Sequence, residues 1–162
     1  MVEFNKKFKK AWKQMVDDSA NKIFVPHCEA EVQFYLGHLL LNNGVEPNEI
    51  RFEWKSDEDK RKRCDLVLEK LFGKKGKAIM HIEIKFFERK NKFAEHKCNE
   101  RDYAKLINWK EVSKQKKEYV RDPVFILFIR GGSLNNETLI ENLKNIKERL
   151  PKGIKFFSYP EC

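Results

Sequence analysis

No apolar run in this chain approaches the ~20 residues that cross a bilayer. The opening stretch MVEFNKKFKKAWKQMV is basic, but it lacks the apolar core and small-residue cleavage site of a secretory signal. An intracellular location, cytoplasm or nucleoid, is the expectation. Cysteine is scarce and scattered: Cys28, Cys64, Cys98 and Cys162 form neither a CxxC nor a CxxC…HxxxH spacing, which argues against structural zinc. Without a secretory signal, reduced thiols are expected, and Cys28 and Cys64 read as small buried hydrophobes. No Walker A pattern is present, so no ATP-driven activity is expected. Neither an internal repeat nor a low-complexity linker divides the 162 residues, which implies one domain.

What the chain has in excess is positive charge. The net charge is +9, in clusters at Lys6-Lys7, Lys9-Lys10, Arg61-Lys62-Arg63, Lys74-Lys75, Arg89-Lys90 and Lys116-Lys117. A polyanionic partner, nucleic acid before anionic membrane, is the functional implication; solubility alone is the plainer one. Hydrophobic residues make up 41%, enough for a real core in a chain of this length.

Periodicity orders the elements. Phe4, Phe8, Ala11, Trp12, Met15 and Val16 recur at helical spacing, predicting an amphipathic helix over 3–19. A second helix is predicted from Pro26 to Asn43, stopped by Asn42-Asn43-Gly44. The period then becomes two in EIRFEWK, with Ile50, Phe52 and Trp54 expected on one side. RCDLVLEKLF and AIMHIEIKFF flank the turn GKKGK as a hairpin. ERDYAKLINWKEVSKQKKEY reads as a helix broken near Trp109, VFILFIR as a buried strand, ETLIENLKNIKERL as a helix and IKFFSYP as a last strand. A hairpin beside strand–helix–strand connections implies a mixed sheet with helices on its faces.

The hairpin carries the chemistry. If it centres on Lys74, Asp65 falls opposite Glu83; a two-residue loop at Lys74-Lys75 would send Asp65 to the other face, so an odd loop or bulge is predicted. Facing carboxylates repel, and a divalent cation between them reverses the sign; oxygen ligands suit Mg²⁺ or Mn²⁺. Lys85 shares the face of Glu83, placed to act on a metal-bound water or on phosphate charge. In the plainer reading Asp65, Glu83 and Lys85 form the solvated face of a sheet. His81 shares that face and reads as a polar group at a strand end; Gln33 could face the site, with surface exposure as the expectation.

The run Glu29 … Arg63-Cys64-Asp65-Leu66-Val67-Leu68 … Ile82-Glu83-Ile84-Lys85 resembles the PD-(D/E)xK nuclease superfamily over roughly residues 27–130. Cys64 stands where the superfamily's name has proline, and the clustered cysteines of its iron–sulfur members are absent. The resemblance implies an α/β, restriction endonuclease-like fold: an αβββαβ core over 26–130, an extra N-terminal helix in 1–22, and a C-terminal helix and strand in 131–162. It implies a Mg²⁺-dependent deoxyribonuclease, Asp65, Glu83 and the Ile84 carbonyl as metal ligands, Lys85 as catalytic lysine, and an acid from the core helix. At about 100° per residue Glu29 lies roughly 60° from the centre of that helix's apolar face and Glu31 roughly 100°, which favours Glu29; both could equally be first-turn glutamates favoured by the helix dipole. Arg63, Lys62, Lys75 and, on the following helix, Lys105 are the candidates for DNA contact. Duplex or branched DNA is the expected partner, with a homodimer allowing cuts on two strands. A non-cutting nucleic-acid-binding module and a basic interaction protein are the alternatives.

Overall fold

The computed structural model describes residues 4–55, 63–71, 77–88, 100–115, 119–120, 122–130 and 137–160, with main chain alone at 100–103, 112–115 and 119–120. Two helices come first, α1 (Phe4–Ala20) and α2 (Glu29–Asn42), followed by an antiparallel meander of β1 (Ile50–Lys55), β2 (Arg63–Leu71) and β3 (Lys77–Phe87). Then come α3 (Glu100–Gln115), the two-residue β4 (Tyr119–Val120), β5 (Val124–Ile129), α4 (Glu137–Arg149) and β6 (Lys155–Tyr159). The mixed sheet runs β1-β2-β3-β5-β6, with β5 parallel to both β3 and β6 and with β4 pairing β3.

Pleat alternation assigns the two faces. Leu66, Leu68, Met80, Ile82, Ile84, Val124, Ile126 and Phe128 pack under α1 and α2. Val67, Ile79 and Phe125 pack against Leu106 and Trp109 of α3, and Leu127 and Ile129 against Leu139 and Leu143 of α4. Successive crossovers that step the same way across a sheet with the same hand must cover the same face, which is why α3 and α4 pack on one side of the sheet. With both faces covered, β5 is buried at every position, as its unbroken apolar run requires.

The stop of α2 is the one its letters predict. Gly44 takes a φ of +80°, the Val45 amide donates to the Leu40 carbonyl at 3.0 Å and the Gly44 amide to Leu41 at 2.9 Å. This is a Schellman closure, with Val45 and Leu40 both buried beside it. The aromatic stripe of α1 is spent inside the chain: Phe8 and Trp12 meet Phe157 of β6 edge-on at 4.9 and 5.8 Å. That helix therefore covers the sheet.

Four expectations are corrected. Trp54 does not share a face with Phe52. Glu53 between them has a φ of +48°, a left-handed turn inside a strand, and this reverses the alternation: Phe52 meets Phe34 of α2 while Trp54 meets Trp109 of α3. The predicted helix over 100–119 runs unbroken to Gln115, because Trp109 is its buried anchor rather than a break. The end of that segment forms β4 instead, and the pairing along β3 slips by one residue before β5, across Pro123, which has no N–H for a ladder. Cys28 is exposed at the N-cap of α2, whereas Cys64 is buried. The β2–β3 ladder ends at Leu71↔Lys77, so an odd number of residues connects the strands; that turn, with Lys75, lies outside the described residues. No helix among the described residues is long and apolar enough to cross a membrane.

Candidate active site

The charged side chains collect where β2 and β3 part. Their ladder stops at Leu66↔Ile82, and the same register sets Asp65 opposite Glu83, one step beyond. The Ile84 amide, which the ladder no longer serves, donates to Asp65 Oδ2 at 2.6 Å. A strand residue's N–H and carbonyl point to the same edge, so the Ile84 carbonyl lies on that open edge too.

On the other side of Asp65 the β1–β2 ladder is interrupted as well. Phe52 pairs Leu66 and Trp54 pairs Cys64, and the left-handed Glu53 sits between. The Asp65 carbonyl takes its hydrogen bond from Gln33 Nε2 of α2, which also lies 3.5 Å from Glu53 Oε1. Gln33 is thus buried rather than surface-exposed. Backbone strain of this kind costs on the order of 1–3 kcal/mol and persists only where the surroundings hold it.

Both acids are withdrawn from water, with Asp65 8% and Glu83 1% exposed. Burial pushes the Asp65 carboxyl above its ordinary range, against the Ile84 amide and the Lys85 and Lys105 charges. Glu83 is pushed up to about 7, first by burial and then by the charge of Asp65, against the ammonium groups of Lys105 and Lys85. Lys85 Nζ lies 3.4 Å from Glu83 Oε1 and 4.0 Å from Glu29 Oε2. Lys105 Nζ sits 2.8 Å from both oxygens of Glu83.

The matching of α3 to β3 explains that last contact. Four helical residues rise about 6 Å and two strand residues about 6.6 Å, so a helix lying along a strand can pair i, i+4 with j, j+2. Lys105 accordingly meets Glu83, and Trp109 stacks on His81 at 5.5 Å. Trp54 closes on His81 at 5.7 Å, and neither ring nitrogen has a hydrogen-bond partner among the described residues. His81 is a fully buried mid-strand residue, not a strand-end polar group; burial and the Lys77 charge hold its pKa down to about 4.

Asp65, Glu83, Lys85, Glu29 and Lys105 therefore converge. Glu31 does not: its carboxylate accepts the His27 amide at 2.6 Å, closing the start of α2. Arg63 is exposed, 3.6 Å from Glu53 Oε2, and Lys62 lies outside the described residues. One participant was expected at the surface and another escaped the sequence reading. Gln33 had a signal, since it stands one turn from Glu29 on the same stripe of α2. Glu53 had none, because no letter in EIRFEWK announces a left-handed residue.

Among the described residues, no three His, Cys, Asp or Glu side chains form a metal cage. The donor set suits a different arrangement. Mg²⁺ is commonly held by one or two carboxylates and keeps several waters. Asp65, Glu83 and the Ile84 carbonyl are hard oxygen donors on one open edge, and two acids each pushed up by burial, with the charge of Asp65 raising Glu83 further, are the environment a divalent cation relieves. The chain itself matches no family model, no curated protein and no solved structure.

Proposed function

We propose that this protein is a divalent-metal-dependent nuclease of the PD-(D/E)xK kind, an endonuclease hydrolysing phosphodiester bonds of DNA. The observation that carries the reading is the pair of buried carboxylates, Asp65 and Glu83, at the open end of a ladder with Lys85 3.4 Å from Glu83. Apart from the two-residue β4, the element order α2-β1-β2-β3-α3-β5 supports it, being the αβββαβ order of that superfamily's core. The net charge of +9 favours DNA as partner, and a homodimer would set two such sites on two strands.

Asp65, Glu83 and the Ile84 carbonyl would hold Mg²⁺ or Mn²⁺. When bound, the cation supplies Lewis-acid polarisation and a water of lowered pKa. The chain's own residues do the rest. Lys85 presents an ammonium on the same edge, where charge builds on the phosphate under attack, and Glu29 steadies that ammonium from α2. The Ile84 amide orients the Asp65 carboxylate, and Gln33 fixes the Asp65 main chain. A non-cutting DNA-binding module is favoured by one observation: Lys105 already neutralises Glu83 without a metal.

The test is cleavage of supercoiled plasmid, linear duplex, single strand and four-way junction in Mg²⁺, Mn²⁺ or EDTA. Metal-dependent cutting by the wild type, lost in Lys85→Ala, Asp65→Ala and Glu83→Ala with each variant folded, is expected. Undiminished cutting by Glu83→Ala would overturn the site; salt-sensitive DNA retention without any cutting would establish the binding module.

A further inference from the structure

We propose that Lys105 is the resident cation of this site: its ammonium occupies Glu83 in the metal-free protein and competes with the divalent ion for it. The inference rests on the nuclease reading and adds a control of metal entry from a helix outside the Asp65–Lys85 motif. An ammonium equidistant from both oxygens of a carboxylate, at 2.8 Å, sits where a chelated metal would sit. Glu83 has no second exit, since its side chain is 2% exposed and its only other ion-pair contact among the described residues is Lys85 at 3.4 Å. A metal binding there must move a positive charge out of a poorly solvated place before it gains its ligand.

Lys105 is also built to be moved. Its helix is anchored by buried Leu106 and Trp109, so the α-carbon stays put while the flexible four-carbon stem swings. The ammonium lies 4.9 Å from the centre of the Trp109 ring, whose face attracts a cation. Lys105 can therefore leave Glu83 without losing every favourable contact. Without a divalent ion it offsets the effect of the Asp65 charge on Glu83 and so stabilises the fold.

The experiment is calorimetric titration of Mn²⁺ into the full chain without DNA, for wild type, Lys105→Met, Lys105→Arg and Glu83→Gln. Methionine keeps the stem against Trp109 and removes the charge. A charge-assisted hydrogen bond is worth enough that its loss should tighten Mn²⁺ binding by about tenfold or more. Lys105→Arg, which keeps the cation, should bind no tighter than wild type, and Glu83→Gln should lose binding. In cleavage assays, half-saturating Mn²⁺ should fall for Lys105→Met by the same factor. In EDTA the same variant should melt at a lower temperature than wild type and recover with Mn²⁺. Equal affinity of Lys105→Met and wild type, with binding lost in Glu83→Gln, would overturn the resident-cation role and leave the metal site standing. Arginine binding as tightly as methionine would also overturn it, as would an Lys105→Met protein that melts like wild type in EDTA. Absence of Mn²⁺ binding in every variant, Lys105→Met included, would overturn both the role and the metal-site reading beneath it.

Discussion

Glu83 and His81 are neighbours on one face of β3, and their titrations pull the stability of the metal-free protein in opposite directions. Glu83 rises to about 7 in the folded state, so its protonated form is favoured by folding. Its contribution is full below the ordinary carboxylate pKa and is lost as pH rises through 7. His81 falls to about 4, so its contribution is full above the ordinary imidazole pKa and is lost as pH falls through 4. Between pH 4.5 and 6.5 the two slopes oppose each other and the wild-type profile is flattened. Single substitutions separate them. In EDTA, His81→Phe should lose about 3 kcal/mol of stability between pH 4.5 and 7, at about 1.4 kcal/mol for each unit of the Glu83 shift. Glu83→Gln should gain stability over pH 4 to 6.5. Denaturant midpoints across that range check both signs. Parallel profiles for the two variants would show that neither group is perturbed as its burial requires. His81→Phe removes two buried nitrogens that have no partner among the described residues, so near neutral pH it should cost little or stabilise.

At the scale of elements, the site is a junction where three pieces of secondary structure stop following their own rules. β1 turns left-handed at Glu53, β2 and β3 separate after Leu66↔Ile82, and α2 reaches in with Gln33 to serve a carbonyl that β1 has dropped. Gln33→Leu keeps the volume and removes the donor. The buried Asp65 carbonyl is then unsatisfied, and a loss of about 1–3 kcal/mol is expected from urea unfolding. Cleavage should weaken with it, because Asp65 is positioned through its main chain as well as through the Ile84 amide. A wild-type unfolding curve for Gln33→Leu would show that water or another donor serves that carbonyl equally well. The register of β2 on β3, by contrast, was readable in the letters. Period-two patterning on both strands, combined with a hairpin centred on Lys74, admits one pairing that buries the apolar faces. That pairing, with Leu68↔Met80 and Leu66↔Ile82, is the one formed.

At the scale of the molecule, the chain combines a sheet covered on both faces with a net charge of +9. The basic outer side of α1 contributes Lys6, Lys9, Lys10 and Lys13, all exposed, because its apolar side is used up against α2 and β6. If DNA is the partner, the logarithm of the affinity must fall linearly with log salt, with a slope of about 0.9 for every phosphate neutralised. Filter retention of a duplex between 50 and 300 mM NaCl, in Ca²⁺ or EDTA, should show a slope corresponding to several phosphates. A flat response would remove nucleic acid from consideration and leave the basic charge to solubility.

The sequence by itself determined the long helices and the strands other than β4, the mixed sheet with helices on its faces, the stop of α2 at Gly44 and the β2–β3 register that carries Asp65 towards Glu83. These depend on alternation, helical period and turn chemistry, which act between residues close in the chain. Only the tertiary structure decided that Glu29 rather than Glu31 reaches Lys85, that Gln33 is buried, that Glu53 breaks its strand, and that Lys105 rests on Glu83 while Trp109 covers His81. Each of these turns on where a ladder ends or how a helix lies along a strand. Such placements are settled by packing among distant segments, and local patterns do not carry that information.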